Sequence, residues 1–284
     1  MAAFGITWES TRIVKDRTQK EGNMPLKDKV VVVTGGAEGL GRATVLKCAE
    51  AGGRVIVADV NLDGAEDTAR TIISGGGQAR AVPVDLAQED QVVGLITQTK
   101  NTFGRLDILI NCAGILLSAG QRVDQFSSDS WSQVISVNLS GTFFCIKHAV
   151  PLLEKSGGGV LVLLASGAGI SGGSSSVAYA ASKGGVRGIA LCVKPQLQPL
   201  NIRIHVALPA NMVTHMKLKA AGDSAEQRGE SRQEAEAKIH AQCDSPERSA
   251  TFLTELVSDT GAVAATDQLV VSLGDWEQLK VATG

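Results

Sequence analysis

The sequence predicts a doubly wound α/β domain with a seven-stranded parallel sheet and helices on both faces, and three observations carry that expectation. Apolar runs of strand length recur at 29–34, 54–58, 79–84, 106–111, 160–165, 202–207 and 269–272; several are nearly continuous in Val, Ile and Leu, as strands buried on both faces are. The segments between them have helical periodicity and length, the pattern of repeated βαβ units. The first run leads straight into Thr34-Gly35-Gly36-Ala37-Glu38-Gly39-Leu40-Gly41 and then a helical pattern.

Composition narrows the function. Aromatic residues make up 4% against 44% hydrophobic, so the interior must be aliphatic, and 32 glycines supply tight turns. A net charge of −2 provides no basic field for a polyphosphate backbone, which argues against nucleic acid as a partner. The five cysteines are odd in number and lack a C-x-x-C pair, so neither a disulfide framework nor a zinc site is suggested, and a reducing, cytoplasmic location is expected. His148, His205, His215 and His240 have no metal-ligand spacing, and no metal is expected. The apolar runs are too short to cross a bilayer, so a soluble protein without membrane association is expected. Residues 1–24 mix acids and bases without an apolar signal core and are read as an N-terminal extension. Residues 25–284 are expected to form a single domain that carries the function.

The glycine-rich turn lets a backbone approach a pyrophosphate, which then sits at a helix N-terminus. Asp59 ends the second strand 18 residues after Gly41. A carboxylate there accepts hydrogen bonds from the adenosine ribose and repels a 2′-phosphate, so NAD is the expected cofactor. Glu38 either adds a second negative charge beside the ribose or points to solvent.

The chain has one tyrosine, Tyr179, four positions before Lys183 and thirteen after Ser166. On a helix, i and i+4 share a face, so the Lys183 ammonium can stand beside the phenol. A phenol titrates near 10, and a neighbouring cation lowers that value toward neutrality, where it serves as general acid and base.

Thr34-Gly35-x-x-x-Gly39-x-Gly41, Asn111-Cys112-Ala113-Gly114, Asn138, Ser166 and Tyr179-x-x-x-Lys183 together resemble the short-chain dehydrogenase/reductase family, in its compact single-domain branch, over residues 25–276. The resemblance implies a Rossmann-type fold and hydride transfer between a nicotinamide and a carbon bearing oxygen. It assigns proton transfer to Tyr179, substrate orientation to Ser166, tyrosine activation and ribose binding to Lys183, and a bound water to Asn138. It also assigns cofactor contacts to Gly35, Glu38, Gly39, Leu40, Gly41, Asp59, Asp85, Leu86, Asn111, Ala113, Tyr179, Lys183, Met212 and Thr214. Cys112, His205, Ala210, Asp267 and Asp275 depart from the family pattern. The helices beginning near Ser130 and Tyr179 resemble a subunit contact, implying a homodimer or homotetramer. Pro195 is expected to kink or shorten the second of these helices.

An alcohol or ketone dehydrogenase is the leading expectation. The alternatives are a catalytically silent NAD-binding sensor or scaffold, and a nucleotide-sugar epimerase or dehydratase; the latter generally has a different glycine spacing and a longer C-terminal region. Ile115, Leu116, Ile170, Val177, Met212 and Met216 suggest an apolar small-molecule substrate. Small residues at 172–176 either make room for a bulky one or form a flexible turn. The polar insertion at 214–244 holds five bases (Lys217, Lys219, Arg228, Arg232, Lys238) and, up to Cys243, five acids (Asp223, Glu226, Glu230, Glu234, Glu236). It is either a solvated helical excursion or, with 210–213, a lid over the strand ends.

Overall fold

The computed structural model describes residues 24–171, 176–258, 269–275 and 277–278. Most of the N-terminal extension, residues 172–175 of the small-residue segment and Asp267 therefore lie outside the described residues. Seven parallel strands, β1 (Val30–Thr34), β2 (Arg54–Asp59), β3 (Gln78–Pro83), β4 (Ile108–Asn111), β5 (Gly159–Leu164), β6 (Ile202–Leu208) and β7 (Val270–Ser272), lie in the order β3-β2-β1-β4-β5-β6-β7. The connections run one way from β1 through β2 to β3 and the other way from β4 to β7. That reversal opens a crevice beyond the carboxyl ends of β1 and β4, where Thr34 and Asn111 are register partners.

The helices are α1 (Gly39–Glu50), α2 (Leu62–Ser74), α3 (Glu89–Phe103), α4 (Ser128–Ile135), α5 (Gly141–Lys155), the short α6 (Ala168–Ser171), α7 (Val177–Leu197), α8 (His215–Gln227), α9 (Arg232–Gln242) and α10 (Pro246–Val257). Alternation along the strands divides the core. Val30, Val32, Ile56 and Leu109 pack under α3, α5 and α7 through Leu95, Cys145, Leu153 and Val186. Val31, Val33, Val55 and Val57 pack under α1, α2 and α10 through Val45, Ile72, Phe252 and Leu253. Both faces of each central strand are thus apolar, which is why these strands read as unbroken aliphatic runs.

The strand expected at 106–111 begins at Ile108. The residues just before it clamp the sheet: the Asp107 carboxylate accepts from Val30 N at 2.9 Å and from Arg105 Nη2 at 2.6 Å. Helix α7 continues through Pro195 and ends two residues later, passing into a 3-10 turn, Gln198–Leu200. The polar insertion forms the hairpin α8–α9. Its two feet meet where Val213 N donates to Asp244 O and Asp244 N to Asn211 O, at 2.8 and 3.2 Å. Arg232 staples the hairpin, donating to Asp223 and Glu226 at 2.5 and 2.7 Å. Gly222 leaves the space that guanidinium fills, since a Cβ there would lie 2.3 Å from Arg232 Nη1. Among the described residues, no helix is long and apolar enough to cross a membrane.

Candidate active site

A cleft of about 1910 Å³ lies over the carboxyl ends of the strands, walled by the glycine-rich turn, the ends of β2, β3 and β5, one face of α7 and the α8–α9 hairpin. The glycines form it by bringing backbones together. Gly35 has φ +70°, and a Cβ on it would lie 2.9 Å from Ala113 Cα; a Cβ on Gly41 would lie 1.8 Å from the Gly35 carbonyl oxygen. Side chains are excluded there, so backbone faces the cleft. Glu38 precedes α1 in an extended conformation, and its side chain makes no capping hydrogen bond. The first-turn N–H groups of α1 therefore have no side-chain cap, the condition for binding an anion.

Asp59 is tied to this turn. Its Oδ2 accepts from Ala37 N and its Oδ1 from Asn61 N, both at 2.9 Å. Each carboxylate oxygen keeps a second lone pair, and the residue lines the cleft beside Val60. Asp85, Leu86, Ala113, Met212 and Thr214 also reach its wall, as do Glu38, Gly39 and Leu40. These residues fit a dinucleotide: an uncapped helix end, a turn without side chains and a pinned carboxylate stand in one continuous space.

Asn111 and Asn138 lie beneath the wall. Ala113 N donates to Thr34 Oγ1 at 3.1 Å, Thr34 Oγ1 to Asn111 Oδ1 at 2.7 Å, and Asn111 Nδ2 to Thr142 Oγ1 at 2.8 Å. The chain ends where Thr142 Oγ1 donates to the Asn138 carbonyl at 2.6 Å. Asn138 sits in a π-helical turn, Ser136–Ser140, between α4 and α5, a distortion frequent at functional sites. Its Oδ1 accepts from Ile115 N at 2.8 Å, and its Nδ2 donates to Ile115 O at 2.9 Å and Ser182 Oγ at 3.1 Å. Both ends of the amide are therefore engaged by the protein.

Ser166, just past β5, and Tyr179 and Lys183, on α7, line the same cleft. Ser176 caps α7, its side chain accepting from Tyr179 N, which sets the tyrosine in the first helical turn. Lys183 is 5% exposed, donates from Nζ to Leu164 O at 2.7 Å and lies 5.7 Å from the Tyr179 ring centre. Burial lowers its pKa to about 8. For Tyr179 the direction departs from expectation. Burial raises the phenol above its ordinary value and outweighs the hydrogen bond with Ser166, which lowers it. Burial is the larger cause, and Lys183 meanwhile donates to a main-chain oxygen, Leu164 O.

A model of the short chain dehydrogenase family matches residues 29–225, from the approach to β1 into α8. The chain belongs to the short-chain dehydrogenase/reductase family. The uncharacterized oxidoreductase YxbG of Bacillus subtilis (strain 168) is 31% identical over 251 residues, 88% of this chain and 91% of that one. Cyclohexanol dehydrogenase of Acinetobacter sp. (strain SE19) is 31% identical over 246 residues, 86% and 93% of the two chains. The crystal structure of levodione reductase superposes with a TM-score of 0.80 at 26% identity, covering 87% of this chain and 96% of that one. Membership carries an oxidoreductase activity with a nicotinamide cofactor and a small-molecule substrate.

Measured against the family pattern, Cys112 keeps its thiol protonated, burial pushing its pKa to about 12. Asp275 accepts from the Ser272 hydroxyl at 2.7 Å, while its own N–H donates back to Ser272 Oγ at 3.2 Å. That reciprocal pair ends β7 and turns the chain. Ile115, Leu116, Met212 and Met216 line the cleft, whereas Ile170 and Val177 stand exposed outside its wall, at the ends of the segment that joins α6 to α7. Composition and spacing did not single out His215 or Lys217 for the site. Yet His215 Nδ1 lies 3.8 Å from Glu38 Oε1, and both residues line the cleft. A polar, charged helix gives no local signal of the loop it will cross.

Proposed function

We propose that the protein is an NAD-dependent oxidoreductase interconverting a secondary alcohol and a ketone, with Tyr179 as general acid and base. The observation that carries this reading is the convergence of Ser166, Tyr179 and Lys183 on the cleft that also holds the glycine-rich turn and Asp59. The bound nicotinamide supplies hydride transfer at its C4. Tyr179 moves the accompanying proton to or from the substrate oxygen, and Ser166 donates a hydrogen bond to that oxygen. With the cofactor bound, protonated Lys183 would stabilise the phenolate form and hold the nicotinamide ribose. Asn138 supports the site from below through Ile115 and Ser182.

Asp59, with both oxygens anchored by backbone, presents fixed negative charge beside the ribose and supports NAD over NADP. The apolar wall of Ile115, Leu116, Met212 and Met216 favours an uncharged substrate, in keeping with a relative named for cyclohexanol. Residues 210–244 serve as the lid. The exposed apolar side chains Phe143 of α5 and Leu191 of α7 support assembly through those helices into a homodimer or homotetramer. Five free cysteines support a cytoplasmic location.

Steady-state turnover with NAD across a panel of secondary alcohols tests the reading. Tyr179→Phe should leave NAD affinity nearly unchanged while lowering kcat by about 10²-fold or more. A variant retaining above roughly a tenth of wild-type turnover would remove Tyr179 from the role. NAD binding without turnover of any alcohol or ketone would favour a silent sensor instead.

A further inference from the structure

We propose that Lys217, in the first turn of α8, is a cofactor-binding residue that contacts the diphosphate and thereby joins the lid to the cofactor. The proposal rests on the nicotinamide-cofactor reading above. Two contacts place the start of α8 against the glycine-rich turn, and a third seats its later part. Thr214, which caps the helix by accepting from Lys217 N at 3.2 Å, has its Cγ2 3.5 Å from where a Cβ on Gly39 would stand. His215 reaches Glu38. Farther along, Ser224 seats on Gly120, where a Cβ would lie 2.9 Å from Ser224 Cα. Helix α8 thus crosses the cleft like a beam, with its first turn beside the N-terminus of α1.

Charge and position together single out Lys217 among the cations of the cleft wall. Arg228 is held by Glu230, and Arg248 by Asp244 and Glu277. Lys183 donates to a main-chain carbonyl at the far end of the cofactor site. Lys238 also makes no ion pair among the described residues, but it lies on α9 rather than in the first turn of α8, and its charge acts on Glu230. Lys217 makes no ion pair among the described residues; its Nζ donates at 2.8 Å to the neutral side chain of Asn211, which also lines the cleft. The anion it would meet needs such a cation. A diphosphate carries two negative charges into a region where Glu38, Asp59 and Asp85 are all acidic, and a lysine opposite α1 offsets that repulsion.

Calorimetric titration of wild type, Lys217→Gln, Lys217→Arg and Lys219→Gln with NAD, ADP-ribose and adenosine tests the proposal. Lys219 is the control: it lies on the same helix, outside the cleft wall and paired with Asp223. Lys217→Gln should weaken NAD and ADP-ribose about ten-fold, a loss that shrinks with added salt, and leave adenosine unchanged. Lys217→Arg should bind both diphosphates within about three-fold of wild type, and Lys219→Gln should bind as wild type. Unchanged NAD affinity in Lys217→Gln, or an equal loss for adenosine, would overturn the assignment. A raised substrate KM with unchanged NAD affinity would move Lys217 to the substrate and equally overturn it. Wild-type protein that binds neither NAD nor NADP would overturn the cofactor reading itself, a failure distinct from that of Lys217 alone.

Discussion

The Lys183 ammonium stands 5.7 Å from the centre of the Tyr179 ring, and the two groups are driven in opposite senses by the same burial. Lysine is lowered to about 8 and the phenol is raised. In the free protein the lysine should therefore lose its proton before the tyrosine does. Because the chain has one tyrosine, phenolate absorbance in the near ultraviolet reports Tyr179 alone. The titration is expected above the ordinary phenol value, and Ser166→Ala should raise it further by removing the hydrogen bond that favours phenolate. A midpoint below 10 in the free protein would contradict the dominance of burial.

Stability carries the same signature with a definite sign. Unfolded Lys183 holds its proton to about 10.5, and folded Lys183 releases it near 8. Between those values the unfolded state binds more protons, so this residue makes stability rise with pH across that window. Lys183→Met should flatten the rise. Denaturant unfolding at intervals from pH 8 to 10.5 measures it.

The proposed preference for NAD rests on Asp59. A difference of about 2 kcal/mol between ribose acceptance and 2′-phosphate repulsion corresponds to roughly 30-fold discrimination for NAD in kcat/KM. Asp59→Ser with Val60→Arg should narrow or reverse it, although loss of the Ala37 contact also loosens the glycine-rich turn. Equal use of NADP by the wild type would show that Asp59 does not face the ribose.

The α8–α9 hairpin should depend on Arg232. Its partners Asp223, Glu226 and Glu236 are spread over both helices. Arg232→Gln should therefore raise amide exchange across 215–242 several-fold while leaving the midpoint of global unfolding nearly unchanged. Protection equal to wild type would show that the network is ornamental to the hairpin.

Assembly is the remaining expectation. Leu191→Glu or Phe143→Glu places charge on the exposed apolar surface of α7 or α5, and either should shift the protein toward a 29.5 kDa species in sedimentation at micromolar concentration. A wild type that sediments as the monomer would refute the contact.

The sequence by itself determined the βαβ alternation, the position of the glycine-rich turn and the shared helical face of Tyr179 and Lys183. Each of these rests on local rules: strands buried on both faces need unbroken aliphatic runs, backbone contact at 1.8 Å from a would-be Cβ admits only glycine at Gly41, and residues four apart on a helix meet. Tertiary structure decided the rest. The side chain of Asn111 turns to Thr34 and Thr142 because β1 and α5, remote in sequence, present matching polar groups under the cleft. Glu38 faces His215 because α8, 177 positions on, is carried across the turn. The ionisation of Tyr179 is raised by how deeply the surrounding elements bury it, which outweighs the hydrogen bond with Ser166; spacing alone credited only Lys183. Burial and long-range charge are sums over elements that no single stretch of sequence contains.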